Sequence, residues 1–365
     1  MKKVGIDARL YFQTGVGVYL RNLLYYLQKA KTNDVVFYIY LMKEDSPKVE
    51  FNRANFVKKE VSCRWHSFSE QVDFARLLYR DKLDLMHFTY FSYPIIYRRL
   101  FIATIHDTTP LLFKTGRAST KNWLSYEIKH FFFKIVLASQ IRHSATVITP
   151  TKTVKDQLVK IYGQKYKKKI LPISEGVNYE LINIDAVPPR LKLNKDFFIY
   201  VGNFYPHKNV ERLIKAFSQL DKNIQLILVG PDGLFSERLV RLIDQSNQKK
   251  KIMFLNNPTN GELIYLYKNA LALINPSISE GFGLPLVEAA YFGLPVIASD
   301  IAVFHEILDG QYLSFDPQNS SDIAKKIEFF LKNKPKFDYR KILEKHSFAK
   351  MADKTLSLYQ NLLNQ

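Results

Sequence analysis

Two doubly wound α/β domains of similar size, each built on a parallel sheet, are the architecture this sequence predicts. Three observations carry that expectation. Short apolar runs alternate with helix-period segments along most of the chain, which is the pattern of parallel α/β folds. The 365 residues are more than one compact core usually encloses. A turn signal and a proline pair, Gly176-Val177-Asn178 and Val187-Pro188-Pro189-Arg190, interrupt the alternation near the middle.

In the first half the apolar runs predict strands at Val4–Asp7, Val35–Leu41, Leu83–Phe88, Phe101–Asp107 and Ala145–Pro150. Helices are expected over Val18–Lys29, Ser119–His143 and Thr153–Tyr162. The second half repeats the theme. Strands are expected at Phe197–Val201, Gln225–Gly230, Lys251–Leu255, Ala270–Asn275 and Pro295–Ser299. Helices are expected near Val210–Leu220, Phe235–Gln248, Glu262–Asn269 and Pro285–Phe292. An amphipathic segment, His346–Leu363, ends the chain. The predicted organisation is a domain over 1–177, a second over 178–345 and a terminal helix over 346–365. Open parallel sheets bind ligands outside the carboxyl ends of their strands, so the chemistry is expected in a cleft formed by two such domains.

Composition narrows the classes. Cys63 is the single cysteine, which excludes an intramolecular disulfide and a cysteine-based metal centre. The opening residues lack the apolar core of a signal peptide. The longest apolar candidate, Phe131 to Ile141, is broken by Lys134, well short of the roughly 18 residues a span requires. A cytoplasmic protein is the expectation, with the inner membrane face as a working place. The net charge of +19 is concentrated early: residues 1–175 hold 30 Lys/Arg against 14 Asp/Glu. A field of that sign favours anionic partners such as acidic lipid, polyphosphate or nucleic acid.

The densest chemical signal is Glu280-Gly281-Phe282-Gly283-Leu284-Pro285-Leu286-Val287-Glu288. Glycines beside Glu280 let backbone approach a ligand. Pro285 suits a helix start, and the free amides of that first turn make a phosphate site. Glu288 lies one turn into the helix. Two carboxylates beside an anion-binding helix end can hold the two ends of a sugar–phosphate–nucleoside ligand. Tyr200-Val201-Gly202-Asn203 followed by His207-Lys208-Asn209 places a lysine between a buried strand and a helix. Asp7-Ala8-Arg9, with Thr14-Gly15-Val16-Gly17, sets another helix N-terminus after a strand. His106 and Asp107 close an apolar strand, and His87 closes the one before it.

This pattern resembles glycosyltransferase family 4, retaining enzymes of the GT-B fold with an E-x₇-E signature, over nearly the whole chain. The resemblance implies that Glu280 contacts donor-sugar hydroxyls and Glu288 the ribose. It implies that Gly281, Phe282, Gly283 and Leu284 line the sugar or diphosphate, with Gly202 and Asn203 beside them. Lys208 neutralises the departing diphosphate. Gly15 and Gly17 lie against donor phosphates and acceptor, and His106 reaches the donor sugar. Asp107 orients His106 or meets the acceptor, and His87 is a further acceptor-side candidate. The terminal helix crosses back to the first domain. Many relatives carry arginine where Asn203 stands, so phosphate stabilisation rests on Lys208 or is shared with His207.

The implied reaction moves a hexose from a nucleotide-sugar to a glycan or lipid-linked acceptor, with GDP-mannose as leading donor. The His-Asp-x-x-Pro form at His106–Pro110 points to mannosyltransferase-like members. No cofactor is required and no residues have metal-ligand spacing, though Mg²⁺ stimulation stays open. Asp300 and Glu306 have no assigned role. Three competing readings remain. A hydrolase would use Glu280 and Glu288 as an acid–base pair. A GT-B nucleotide-sugar epimerase would share the fold. A basic membrane- or nucleic-acid-binding module would use Ser119–Arg142, which interleaves Trp123, Tyr126 and Phe131–Phe133 with Lys121, Lys129, Lys134 and Arg142. No nucleic-acid motif accompanies the charge, so nucleic acid is not an expected partner.

Overall fold

The computed structural model describes residues 1–32, 34–113, 123–220, 224–245 and 251–365, with side chains from Glu127 onward in the helix that opens at Trp123. They form two compact units. Unit 1 gathers Met1–Leu111, the described residues of Thr120–Glu175, and Ser347–Gln365; unit 2 is formed chiefly by Gly176–His346.

Unit 1 runs β1 (Lys2–Asp7), α1 (Val16–Lys29), β2 (Val35–Met42), β3 (Phe56–Val61), α2 (Ala75–Asp81), β4 (Leu85–Phe88), β5 (Phe101–Thr104), α3 (Thr109–Leu112), α4 (Trp123–His143), β6 (Thr146–Thr149), α5 (Lys152–Tyr162) and β7 (Ile170–Pro172). The strands form one parallel sheet in the order β3-β2-β1-β4-β5-β6-β7.

Unit 2 runs β8 (Phe197–Val201), α6 (Val210–Phe217), β9 (Gln225–Gly230), α7 (Leu234–Gln245), β10 (Ile252–Asn256), α8 (Asn260–Asn269), β11 (Leu273–Asn275), α9 (Leu284–Tyr291), β12 (Val296–Ser299), α10 (Ala302–Leu308), β13 (Leu313–Phe315), α11 (Ser320–Asn333) and α12 (Arg340–Lys345). Its sheet is also parallel, ordered β10-β9-β8-β11-β12-β13. The chain then closes with α13 (Phe348–Leu363), which packs on α1 in unit 1.

Alternation along a strand decides which core each side chain joins. In β8, Phe197 and Ile199 pack with Leu286, Val287 and Phe304 from α9 and α10. Phe198 and Tyr200 point the other way, into Leu213, Phe217, Ile323 and Phe330 from α6 and α11. Both faces are covered, so the strand reads as an unbroken apolar run. Truncating Phe198, fully buried, to alanine would cost about 3–5 kcal/mol.

All ten expected strands are present, several shorter than anticipated. The one after residue 101 ends at Thr104, so His106 and Asp107 lie in the loop beyond it. Three strands were not anticipated: β3, β7 and β13. Each is a sheet edge. An edge strand has one neighbour and tolerates charge. β3 carries Lys58-Lys59-Glu60, and β7 and β13 are three residues long, so none leaves a buried-strand pattern. Lys121 lies outside the described residues, as do the side chains of Trp123 and Tyr126.

The fold buries His87 and His346 in their neutral form. Burial pushes His346 down to about 4 and His87 down to about 3. A depressed folded value means the unfolded chain binds more protons between that value and about 6.5. Stability is therefore present above pH 6.5 and lost as the pH falls toward 4. These two groups outweigh Glu288, one buried carboxyl titrating in the opposite sense. The denaturation midpoint measured by circular dichroism should drop steadily from pH 6.5 to 4.5, and His346→Asn should flatten that slope. A midpoint constant across this range would contradict the assignment.

Candidate functional site

In a doubly wound sheet the loops part where the winding reverses, leaving a crevice at the carboxyl ends of two neighbouring strands. In unit 2 that point lies between β8 and β11, which are paired in the sheet. The loop after β8 carries Gly202, Asn203, His207 and Lys208; the loop after β11 carries Ser277, Glu280 and Gly281.

Three links stitch these loops together. The Ile278 amide donates to the His207 carbonyl at 2.8 Å. The Asn209 side-chain amide donates to the Pro276 carbonyl at 2.9 Å and to that of Pro317 at 2.7 Å. The Lys208 ammonium sits 2.7 Å from Glu280 Oε1, an oxygen that also lies 2.8 Å from the Ser277 hydroxyl. Asn209 has a left-handed backbone (φ 60°) at the N-cap of α6, a conformation asparagine tolerates. Gly230, at the end of β9, permits the close approach from the other side: a Cβ there would lie 2.2 Å from the Gly202 carbonyl oxygen.

α9 starts at Leu284 behind Gly283, whose φ of 99° favours glycine. Pro285 has no amide hydrogen, and the Leu286 amide turns back to the Gly283 carbonyl at 2.9 Å. Among the described residues the amides of Gly283 and Leu284 have no protein acceptor, so they remain available to an anion. Phe282 is buried and packs its ring against His346 at 5.5 Å.

Glu288, one turn into α9, is 6% exposed. Its Oε2 accepts from the Tyr267 hydroxyl at 2.8 Å, and Tyr267 is held by stacking on Phe292. Burial pushes the Glu288 carboxyl up to about 7, and the Tyr267 bond opposes that rise only in part. The two glutamates therefore sit in different surroundings. Glu280 is neutralised by a cation, while Glu288 is buried against a phenol.

Lys208 is the cation of this crevice. His207 does not share the charge, because burial and the neighbouring ammonium push it down to about 4, leaving it neutral at physiological pH. Its ring stacks on Tyr205. Its Nδ1 and the Asn203 side-chain oxygen are buried without a hydrogen-bond partner. The expected sharing of charge with His207 is thus corrected: that ring offers a dipole only.

Unit 1 reverses its winding between β1 and β4. The ends of these strands border a shallow surface depression lined by Asp7, Arg9, Thr89, Tyr90 and Ser92 among others. Arg9 is buried and bridges Asp7 at 2.7 Å and Glu70 at 2.6 Å. Burial opposes its charge, but the two carboxylates more than compensate. Gly15 is the exposed N-cap of α1; Gly17 lies under the preceding loop, where a Cβ would meet the Tyr11 carbonyl oxygen at 2.6 Å.

His106 has both ring nitrogens engaged: Nε2 at 2.9 Å from the Thr89 carbonyl and Nδ1 at 3.2 Å from Glu175. Asp107 turns away to accept the Thr109 amide at 2.7 Å. The orienting carboxylate is therefore Glu175, 69 residues along the chain, and not the adjacent Asp107. His87 also departs from its expected acceptor-side place. It is fully buried, with Nδ1 at 2.6 Å from the Tyr359 hydroxyl and Nε2 at 2.8 Å from Thr104 Oγ1. Asp300 pairs with His305 on the surface, and the Glu306 carbonyl accepts from Lys345.

Sequence reasoning missed Ser277, Tyr267, Glu175 and the Arg9–Glu70 pair. Only Arg9 had a local signal, the Asp-x-Arg spacing after a buried strand. Among the described residues no group of three or more His, Cys, Asp or Glu side chains is placed to share a metal, and no helix is long and apolar enough to cross a membrane.

The chain is similar to known proteins in sequence and in fold. Residues 183–348 match the family model of glycosyl transferases group 1, and residues 13–181 match that of glycosyltransferase family 4. The O-antigen chain mannosyltransferase RfbU of Salmonella typhimurium is 30% identical over 255 residues, 70% of this chain and 67% of RfbU. Sucrose-phosphate synthase from Thermosynechococcus elongatus superposes with a TM-score of 0.79 at 18% identity over 100% of both chains. Anabaena HepE, solved in complex with UDP and glucose, gives 0.75 at 15% identity over 99% of this chain and 100% of that one. With both halves matched and a relative of this identity aligned over two thirds of its length, the chain belongs to the group 1 and family 4 glycosyltransferases and is a hexosyltransferase of the GT-B fold.

Proposed function

We propose that unit 2 takes a nucleotide-sugar as donor, with GDP-mannose the leading candidate, and that the sugar is transferred with retention to a glycan or lipid-linked acceptor. The observation that carries this reading is the Lys208–Glu280 pair at the β8/β11 crevice, beside the open amides of Gly283 and Leu284. A diphosphate arriving there meets an ammonium and a helix N-terminus. Glu280, freed from Lys208, accepts from sugar hydroxyls, and Glu288 accepts from the ribose. The mannosyltransferase name of RfbU supports mannose; the UDP and glucose of HepE make UDP-glucose the donor to compare against it.

Leaving-group stabilisation is the chief task in this chemistry. As the anomeric C–O bond breaks, negative charge grows on the diphosphate, where Lys208 and the α9 amides lie. The acceptor hydroxyl attacks the same face, and the departing phosphate oxygen takes its proton. No protein nucleophile enters the scheme. The His106–Glu175 pair of unit 1 is the second group we assign to transfer.

The acceptor side is proposed to work at an anionic membrane surface. α4 is apolar on both faces. Leu137 and Ile141 are buried, yet Ile128, Phe131, Phe132 and Ile135 are 50%, 61%, 58% and 40% exposed. They recur at helical spacing with exposed Lys129, Lys134 and Arg142 beside them. An exposed apolar stripe flanked by cations suits the interface of acidic lipid.

Three outcomes test the proposal. Lys208→Ala should lower kcat/KM by about 10²–10³-fold in a GDP-mannose transfer or hydrolysis assay, and near-normal turnover would remove Lys208 from its role. Glu288, with its folded value raised, contributes stability present below about pH 4.5 and lost as the pH rises through 7. Ribose hydroxyls favour its ionised form, so GDP binding at pH 7 should release part of a proton, read by calorimetry in two buffers of different ionisation enthalpy. Glu288→Gln should release none, and its unfolding free energy should rise at pH 8, by on the order of 2–3 kcal/mol. Finally, Phe131→Asp/Phe132→Asp should abolish co-sedimentation with phosphatidylglycerol vesicles at low salt; equal sedimentation of both proteins would exclude the α4 surface.

A further inference from the structure

We propose that the C-terminal helix α13 sets the orientation of His106 through a buried chain of four side chains, Tyr359, His87, Thr104 and Tyr19, which act as positioning residues for transfer. The proposal rests on the role given to His106 above and goes beyond it.

The chain is continuous. The Tyr359 hydroxyl lies 2.6 Å from His87 Nδ1. His87 Nε2 lies 2.8 Å from Thr104 Oγ1, and Thr104 Oγ1 lies 3.2 Å from the Tyr19 hydroxyl. The Tyr19 ring meets the His106 ring edge to face, centroids 4.8 Å apart. Each of the four linking residues is at most 1% exposed. Buried polar atoms of this kind hold their geometry, because losing a partner leaves the other desolvated and unsatisfied.

Direction follows from chemistry. His87 is neutral, burial having pushed it down to about 3, so one ring nitrogen donates and the other accepts. One consistent arrangement has Tyr359 donating to Nδ1, Nε2–H donating to Thr104, and Thr104 donating to Tyr19. The Tyr19 hydroxyl is raised by burial and, to a lesser degree, by the charge of Glu175, the carboxylate that pairs with His106. His106 is thus fixed on three sides: Thr89 at Nε2, Glu175 at Nδ1 and the Tyr19 ring.

The chain also gives α13 a task beyond burying apolar surface. A helix docked only by Phe348, Met351 and Leu356 could slide or be replaced without consequence for the loop after β5. Tyr359 makes its seating legible at His106.

The test compares Thr104→Val, which keeps shape and loses the hydroxyl, with Thr104→Ser, which keeps the hydroxyl. The readouts are the ¹⁵N-imidazole resonances of His106, assigned by their loss in His106→Gln, and the split between kcat and donor KM. Thr104→Val should move the His106 resonances and lower kcat by roughly tenfold to a hundredfold at nearly unchanged KM, as misplacement of a positioned group does. Thr104→Ser should restore both. Tyr359→Phe should repeat the Val result from the far end, and it stands in for Thr104→Val where that variant does not fold. His106 resonances coincident with wild type in folded Thr104→Val or Tyr359→Phe overturn the proposal. Resonances that move while kcat stays constant, in these variants and in His106→Gln alike, uphold the positioning and remove His106 from transfer.

Discussion

A parallel sheet forces every strand to end at the same edge, and a doubly wound sheet must part its loops at one point along that edge. The rest of the chemistry follows from this constraint. In unit 2 the parting falls between β8 and β11, and the loops there would separate without cross-links. Asn209, Ile278 and the Lys208–Glu280 pair supply them. In unit 1 the parting falls between β1 and β4, and the Thr89 hydroxyl donates to the Asp7 carbonyl across it at 2.5 Å. In unit 2 one of these cross-links, the Lys208–Glu280 pair, is also a functional candidate. This economy has a physical origin: polar side chains are tolerated where the strands end, because the backbone there has unmatched partners.

The two units solve the same problem with different electrostatics. Unit 1 buries a cation between two carboxylates, Arg9 with Asp7 and Glu70. Such a buried triad is weak evidence for stability, since desolvation offsets much of the Coulomb attraction. Its geometric effect is plainer, since it pins the loop after β1 to the segment around Glu70. Unit 2 half-buries a neutral histidine and an ion pair, and buries a carboxyl raised to about 7. Lys208 is shared with a glutamate, so its charge becomes available only to a ligand that displaces that partner.

Much of this was legible in the sequence, and the boundary of legibility is physical. Central strands, covered on both faces, announce themselves as apolar runs, so β8 and β9 could be placed closely. The edge strands β3, β7 and β13 could not, because one neighbour and partial exposure relax the demand for apolar residues. Lys208, Glu280 and Glu288 were legible because backbone signals flank them: glycines, a proline and a preceding buried strand. Tyr267 and Glu175 were not, because nothing local distinguishes a helical tyrosine or a loop glutamate that meets its partner only through tertiary packing. His87 was misplaced for the complementary reason. A histidine at a strand end resembles a site residue, and only the arrival of Tyr359 from 272 positions away shows it to be enclosed.

Glu288 brings stability and function into opposition. A buried carboxyl with a single phenolic donor is costly to ionise, and replacing it with an uncharged residue of similar volume would relieve that cost. Structure alone gives no reason to keep it. Tyr267 satisfies Oε2, and Oε1 has no protein partner among the described residues and is not fully enclosed. A pair of ligand hydroxyls at Oε1 would convert this cost into binding free energy, since the ionised form is the better acceptor. The same logic applies to the neutral His207 and the orphaned Asn203 oxygen. Residues that break local rules without a compensating contact concentrate at functional sites. Two of the five orphaned buried atoms among the described residues, on Asn203 and His207, lie in the β8–α6 loop that carries Lys208.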